Sequence, residues 1–319
     1  MTWTRRDFTR LLALTGSAAL VPAAARARPS FAGDQNEDEA FWGRVRGEFV
    51  MAEGLAMFNA ANLCPSSRRV IDTLERLSRN VDRDPSPANR ASLGPAREAS
   101  RTLLAAFLRV SPDELVITRN TSEANNLVSS GLDLKQGDEV IVFADNHPSN
   151  LNAWRQKGER FGFAVTTLAQ PNPHPGAEYY VSAVTKAITS STRLVALTHV
   201  TSTVGDLLPA ADICRVARER GVLTLVDGAQ SFGVLDVNLS EIRPDFYSGS
   251  AHKWPCGARE TGVLFVNQAI QEKLSPAVIS LYGGATGISR RLEANGQRDE
   301  AAMAAFGEAI ALQNDVGIA

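Results

Sequence analysis

Residues 223–230 read Leu-Thr-Leu-Val-Asp-Gly-Ala-Gln, and residues 246–253 read Phe-Tyr-Ser-Gly-Ser-Ala-His-Lys. Leu223, Thr224, Leu225 and Val226 form a short apolar, β-prone run, the pattern of a buried strand. It ends in Asp227, where an open parallel sheet presents its ligand-binding residues. A second short run, 245–249, leads into Ser250, Ala251, His252 and Lys253, and residues 261–266 read as a third strand. A carboxylate, a hydroxyl, an imidazole and an amine are thereby set at neighbouring strand ends. Lys253, between an apolar strand and the pair Trp254 and Pro255, is poorly placed to be a solvated surface charge.

One cofactor needs this combination. Pyridoxal phosphate takes an amine for its aldehyde, a carboxylate for its ring nitrogen and several donors for its phosphate. A desolvated lysine beside other cationic groups has a lowered pKa and becomes nucleophilic. Taken singly, Asp227 reads as a helix cap and Lys253 as a surface residue; four residues in register favour the cofactor. Asp227-x-x-Gln230 and Ser250-x-His252-Lys253 resemble the cofactor motif of the class V aminotransferases of fold type I. That family includes cysteine desulfurases and isopenicillin N epimerase.

The resemblance implies a Schiff base on Lys253, which then takes or returns the α-proton of an amino acid or amine. It implies that Asp227 keeps the ring nitrogen protonated, that Gln230 contacts the ring hydroxyl and that Ala229 packs beneath the ring. Thr121, Ser122, Ser250 and His252 would hold the phosphate, and His147 would cover the opposite face of the ring. The implied fold is α/β, fold type I of the pyridoxal-phosphate transferases, with a mostly parallel sheet and helices on both faces. A homodimer is the implied assembly.

Composition sets bounds around that reading. Apolar content of 44% and charged content of 21% are ordinary for a soluble globular protein. A net charge of −2 gives no reason to expect nucleic acid or an anionic membrane surface as partner. Cys64, Cys214 and Cys256 are too few and too scattered for a disulfide framework or a zinc site, and Cys256 reads as a small buried residue. The four histidines lack metal-ligand spacing, so no metal is expected.

Along the chain, Arg5 and Arg6 precede an apolar run at 11–21 and a small-x-small site at Ala25, Arg26 and Ala27. This is the pattern of a twin-arginine signal peptide, with a mature chain starting near Arg28 outside the cytoplasm. The apolar run is too short to span a bilayer, which takes ~20 residues. An N-terminal arm is expected at 28–57, a cofactor-binding large domain at 58–298 and the start of a C-terminal small domain at 299–319. Family members continue into that small domain, so the resemblance implies that this chain is either a fragment or a reduced family member with the small domain largely missing.

Residues 115–118 read as a strand, and Asn120, Thr121, Ser122 and Glu123 open a helix. Free amides and hydroxyls at a helix start make an anion site. Plain capping, with Asn120 as cap and Glu123 closing a capping box, is compatible with that role. Strand 139–143 runs into His147, Pro148, Ser149 and Asn150, where the family places its ring-stacking histidine. Strands at 163–168 and 193–199 and a helix at 209–220 continue the βα alternation, which argues for a covered parallel sheet. His199 reads as a hydrogen-bonded core residue.

Residues 293–299 resemble the segment by which family members reach the neighbouring subunit's cofactor, with Gln297 in place of the usual threonine. Residues 299–313 read as an amphipathic helix whose stripe of Met303, Phe306 and Ile310 awaits a small-domain partner. A non-catalytic cofactor-binding or partner-binding remnant is the rival to an enzyme. The joint presence of Lys253, Asp227 and His147 speaks against it, and the missing small domain speaks for it. A dinucleotide-binding protein is improbable, because no Gly-x-Gly-x-x-Gly follows a strand.

Overall fold

The computed structural model describes residues 39–280 and 287–317. The signal-peptide pattern, the start of the expected arm and most of the glycine-rich stretch 283–287 lie outside them. In chain order the elements are α1 (Glu39–Gly47), α2 (Arg68–Arg83), α3 (Pro87–Ala91), α4 (Gly94–Leu108), β1 (Leu115–Thr118) and α5 (Thr121–Gly131). Then come β2 (Glu139–Phe143), α6 (Pro148–Phe161), β3 (Ala164–Leu168), α7 (Ala177–Ala187), β4 (Thr192–Thr198) and α8 (Ala210–Glu219). β5 (Leu223–Asp227), α9 (Leu239–Ile242), β6 (Phe246–Ser250), β7 (Gly262–Val266), α10 (Ser289–Leu292) and α11 (Glu300–Val316) complete the order.

The strands form one seven-stranded sheet in the order β1-β7-β6-β5-β4-β2-β3. β6, β5, β4, β2 and β3 pair in parallel, and β7 runs against both of its neighbours. Alternate residues of each strand point to opposite faces, so the short apolar runs feed two cores. Ile141, Phe143, Val195, Leu197, Val226 and Tyr247 enter one apolar cluster. Val140, Val142, Leu194, Ala196, Leu225 and Phe246 enter the other. Burial of each large side chain contributes roughly 1.5–3 kcal/mol, which is why β-branched and aromatic residues crowd both faces.

Register brings the chemistry-bearing strand ends together. Thr198 lies opposite Asp227, and Asp227 opposite Ser248. Gly262 sits between Ser250 and Thr118. A Cβ there would lie 2.8 Å from the Asn120 Cα and 2.6 Å from the Gly249 oxygen, so only glycine lets the chain into α5 come this close.

On α4, Leu104 and Leu108 are buried while Leu103 is exposed. One expectation needs correction. The stripe on α11 is not left uncovered. Met303, Phe306 and Ile310 belong to the main core, and Ala301, Ala302, Ala304, Ala305 and Ala309 are buried as well. Small residues let α2 and α4 pack closely on α11: a Cβ at Gly307 would lie 2.7 Å from Ser100 Oγ. Residues 34–319 form one compact unit.

Candidate active site

The centre of the site is Asp227, at the C-terminal end of the middle strand and 1% exposed. Its carboxylate is held by neutral donors. Asn125 Nδ2 donates to Oδ2 at 2.8 Å, Asn150 Nδ2 reaches the same oxygen at 3.5 Å, and the Ala229 amide donates to Oδ1 at 3.0 Å. Those donors are themselves fixed. Ser248 Oγ donates to Asn125 Oδ1 at 2.7 Å, and the buried Trp154 Nε1 donates to Asn150 Oδ1 at 2.9 Å.

Lys253 follows β6 in a half-buried turn. Burial pushes its amine below the ordinary lysine value, and the Asp227 carboxylate pulls partly the other way. Among the described residues the amine has no hydrogen-bond or ion-pair partner. His252 beside it is also shifted downward, by burial and then by the Lys253 charge.

At the start of α5 the Thr121 amide donates to Ser250 Oγ at 2.9 Å, and the two hydroxyls of Thr121 and Ser250 lie 2.8 Å apart. Asn120 caps the helix through the Glu123 amide at 2.9 Å. Glu123 does not close the expected box onto Asn120: its carboxylate takes the Arg119 amide at 2.6 Å. Ser122 is exposed, and its amide and hydroxyl have no partner among the described residues. Capping by Asn120 thus leaves the Ser122 amide and hydroxyl open at this helix start.

His147 stands exposed at the N-cap of α6. The Ser149 amide donates to its Nδ1 at 3.2 Å, which in the neutral ring leaves the proton on Nε2. Gln230 is 6% exposed and already engaged: Nε2 donates to the Ala61 oxygen at 2.9 Å, and Oε1 accepts from Trp254 Nε1 at 2.8 Å. One Nε2 hydrogen remains for a ligand. Ala229 is buried directly after the Asp227–Gly228 pair. At Gly228 a Cβ would fall 2.1 Å from the Tyr247 ring, so the turn after Asp227 depends on that glycine.

His199 takes the core role expected of it. It is buried, with Nδ1 2.9 Å from Ser231 Oγ, and burial lowers its pKa to about 4. Sequence reasoning missed Asn125, Asn150 and Trp154. A signal for Asn125 was present, since it lies four residues after Thr121 on a helix face otherwise lined by Ala124 and Val128. Also unforeseen, Cys64 Sγ and Cys256 Sγ approach to 3.2 Å.

The Aminotransferase class-V family matches residues 62–317. The chain belongs to that family. The isopenicillin N epimerase of Streptomyces clavuligerus is 30% identical over 295 residues, covering 87% of this chain and 74% of that protein. A probable cysteine desulfurase of Methanothermobacter thermautotrophicus is 35% identical over 189 residues, 59% of this chain and 46% of its own length. Among solved structures, a mutant of C-DES with glycine covalently linked to its PLP cofactor superposes with a TM-score of 0.80 at 24% identity. That match covers 85% of this chain and 74% of the other, and it shows the shared fold.

The class V cofactor is pyridoxal 5'-phosphate, and the residues present fit it. Asp227 is a buried carboxylate whose three donors are all uncharged, leaving acceptor capacity for a cationic ring N–H. Lys253 presents an unpartnered amine, and the start of α5 presents free donors.

Proposed function

We propose that this class V enzyme carries pyridoxal phosphate on Lys253 and acts on an amino acid or amine by exchanging a proton at the substrate's α-carbon. The reading rests on one observation above all: an unpartnered, half-buried Lys253 amine with a lowered pKa, within the field of a buried Asp227 carboxylate. Bound pyridoxal phosphate supplies an aldehyde for amines and an electron-accepting ring.

The chain's own groups do the rest. A lowered pKa raises the share of Lys253 that is neutral and nucleophilic near pH 7–8. Nζ of Lys253 would also take or return the proton at the substrate's α-carbon. Asp227 Oδ2, steadied by Asn125, holds a proton on the ring nitrogen by charge. The Ser122 amide and hydroxyl, with Thr121, Ser250 and His252, would hold the phosphate near the positive end of α5. His147, oriented by Ser149, closes the outer face with Nε2–H.

Within the family, the His147-Pro148-Ser149-Asn150 loop and the overall likeness to the epimerase favour reversible α-proton exchange over C–S cleavage. A two-fold dimer with Gln297 and Arg298 near the partner is part of this reading. So is export by a twin-arginine leader at 1–27, testable by N-terminal sequencing of the exported protein with and without Arg5→Lys and Arg6→Lys.

Borohydride reduction of the loaded protein, followed by peptide mass mapping, tests the assignment. The pyridoxyl mass is expected on Lys253, and its appearance on Lys135, Lys157, Lys186 or Lys273 would overturn it. Deuterium uptake at the α-carbon across an amino-acid panel in heavy water then tests the reaction class.

A further inference from the structure

Cys64 and Cys256 are separated by 192 residues of chain, yet their sulfurs lie 3.2 Å apart. That is only about 1.2 Å more than a disulfide bond of ~2.05 Å. The approach is imposed by backbone on both sides. The Cys64 amide donates to the His252 oxygen at 2.8 Å, and the Cys256 amide donates to the Lys253 oxygen at 3.0 Å. The Ser67 amide reaches the Cys256 oxygen at 3.3 Å, and Ser66 Oγ donates to the Gly257 oxygen at 2.9 Å. Cys256 itself has φ 58°, a left-handed conformation that is uncommon for a residue with a Cβ. In that conformation its thiol faces the 58–65 loop.

We infer that Cys64 and Cys256 are a modification site, a dithiol that closes to a disulfide and staples the 58–65 loop to the turn carrying Lys253. Both thiols are half-buried, within reach of a small oxidant, whereas Cys214 is buried and its thiol is pushed up to about 12 by that burial. The hydrogen bond from Cys256 lowers the Cys64 pKa and raises that of Cys256, so Cys64 is the attacking group.

The oxidant is a disulfide, either small or carried by an oxidoreductase. The Cys64 thiolate attacks one of its sulfurs, breaking the oxidant's S–S bond, expelling one thiolate and leaving a mixed disulfide. Cys256 loses its proton to solvent and attacks Cys64 Sγ, forming the internal bond and expelling the second thiolate. The protein gives up two protons and two electrons, and the oxidant ends as two thiols. A bond closing so long a loop restricts the unfolded chain strongly.

The test uses the full chain equilibrated with excess oxidised glutathione or with dithiothreitol, and it is independent of the cofactor reading. Denatured thiol counts are expected to fall from three to one on oxidation. A tryptic fragment joining Cys64 to Cys256 should appear, two hydrogens lighter than the separate peptides. The oxidised protein should melt at least ~4 °C above the reduced one, and Cys64→Ser and Cys256→Ser should each abolish both the link and the rise. Three free thiols after oxidation, glutathione caps without the internal link, a link through Cys214, or equal melting of the two forms would each overturn the proposal.

Discussion

Asn125 Nδ2 donates to Asp227 Oδ2 at 2.8 Å, while Asn125 Oδ1 takes the Ser248 hydroxyl at 2.7 Å. One amide thus fixes the acid of β5 from α5, with β6 fixing the amide in turn. The same helix begins at Thr121, so one element holds both the Asp227 carboxylate and the Thr121–Ser250 hydroxyl pair.

Asn125→Ala removes a hydrogen bond to a charged group, worth about 1.5–3 kcal/mol. Pyridoxal phosphate should bind about 10–100-fold more weakly, as read by equilibrium dialysis and absorbance. Unaltered affinity would mean that Asn150 and the Ala229 amide suffice to position Asp227.

Asp227→Asn keeps the shape and removes the charge. Pairing losses at buried ionic sites reach ~3–5 kcal/mol, and ~3 kcal/mol is roughly a hundredfold in rate. A second effect separates charge from mere structure. Asp227 draws the Lys253 pKa upward, so without it the amine deprotonates at lower pH. The pH at which apoprotein reaches half its maximal rate of cofactor attachment should move down in the variant. An unmoved or raised midpoint would remove the electrostatic coupling.

Asp227 was readable because it stops the short apolar run of β5, whereas β6 carries Ser248 and Gly249 before Ser250 and was legible only through the motif that follows it. Lys253 stood out between that strand and the Trp254–Pro255 pair, and the structure leaves it half-buried. Gln230 was only half readable. Its partners, Ala61 and Trp254, come from distant chain and a neighbouring turn, and no local spacing encodes them. The α11 stripe misled for a related reason. A helix rich in alanine shows a weak apolar face in sequence, yet close approach at Gly307 lets α2 and α4 help bury most of that face.

His199 gives stability a pH slope. Its folded pKa is about 4, against an ordinary histidine value near 6.5. Between those values the unfolded chain binds more protons than the folded one, so stability falls as pH drops from about 6.5 to about 4. By the lower limit the loss is about 3 kcal/mol. His199→Gln keeps a polar partner for Ser231 but cannot take up the proton. Its urea midpoint should change less over pH 4–6.5 than that of the parent, and parallel slopes would remove His199 as the cause.

Arg101 is fully buried and ties Glu293 to β1. Its Nη1 donates to Glu293 Oε1 at 2.7 Å and to the Leu115 oxygen at 2.9 Å, while Nη2 donates to Glu293 Oε2 at 3.0 Å. Glu293 Oε1 also accepts the Ile117 amide at 2.6 Å, so the pair holds the strand leading to Thr121. Arg101→Met leaves Glu293 as a buried, uncompensated charge, a loss of ~3–5 kcal/mol. Adding Glu293→Gln removes that charge and keeps an acceptor for Ile117, so the double variant should regain a large part of the loss in urea unfolding. Because β1 leads directly into α5, the helix start proposed to hold the phosphate, the single variant should also bind pyridoxal phosphate more weakly than the double one. A double variant no more stable than Arg101→Met would show that the guanidinium acts here through its packing rather than through the ion pair.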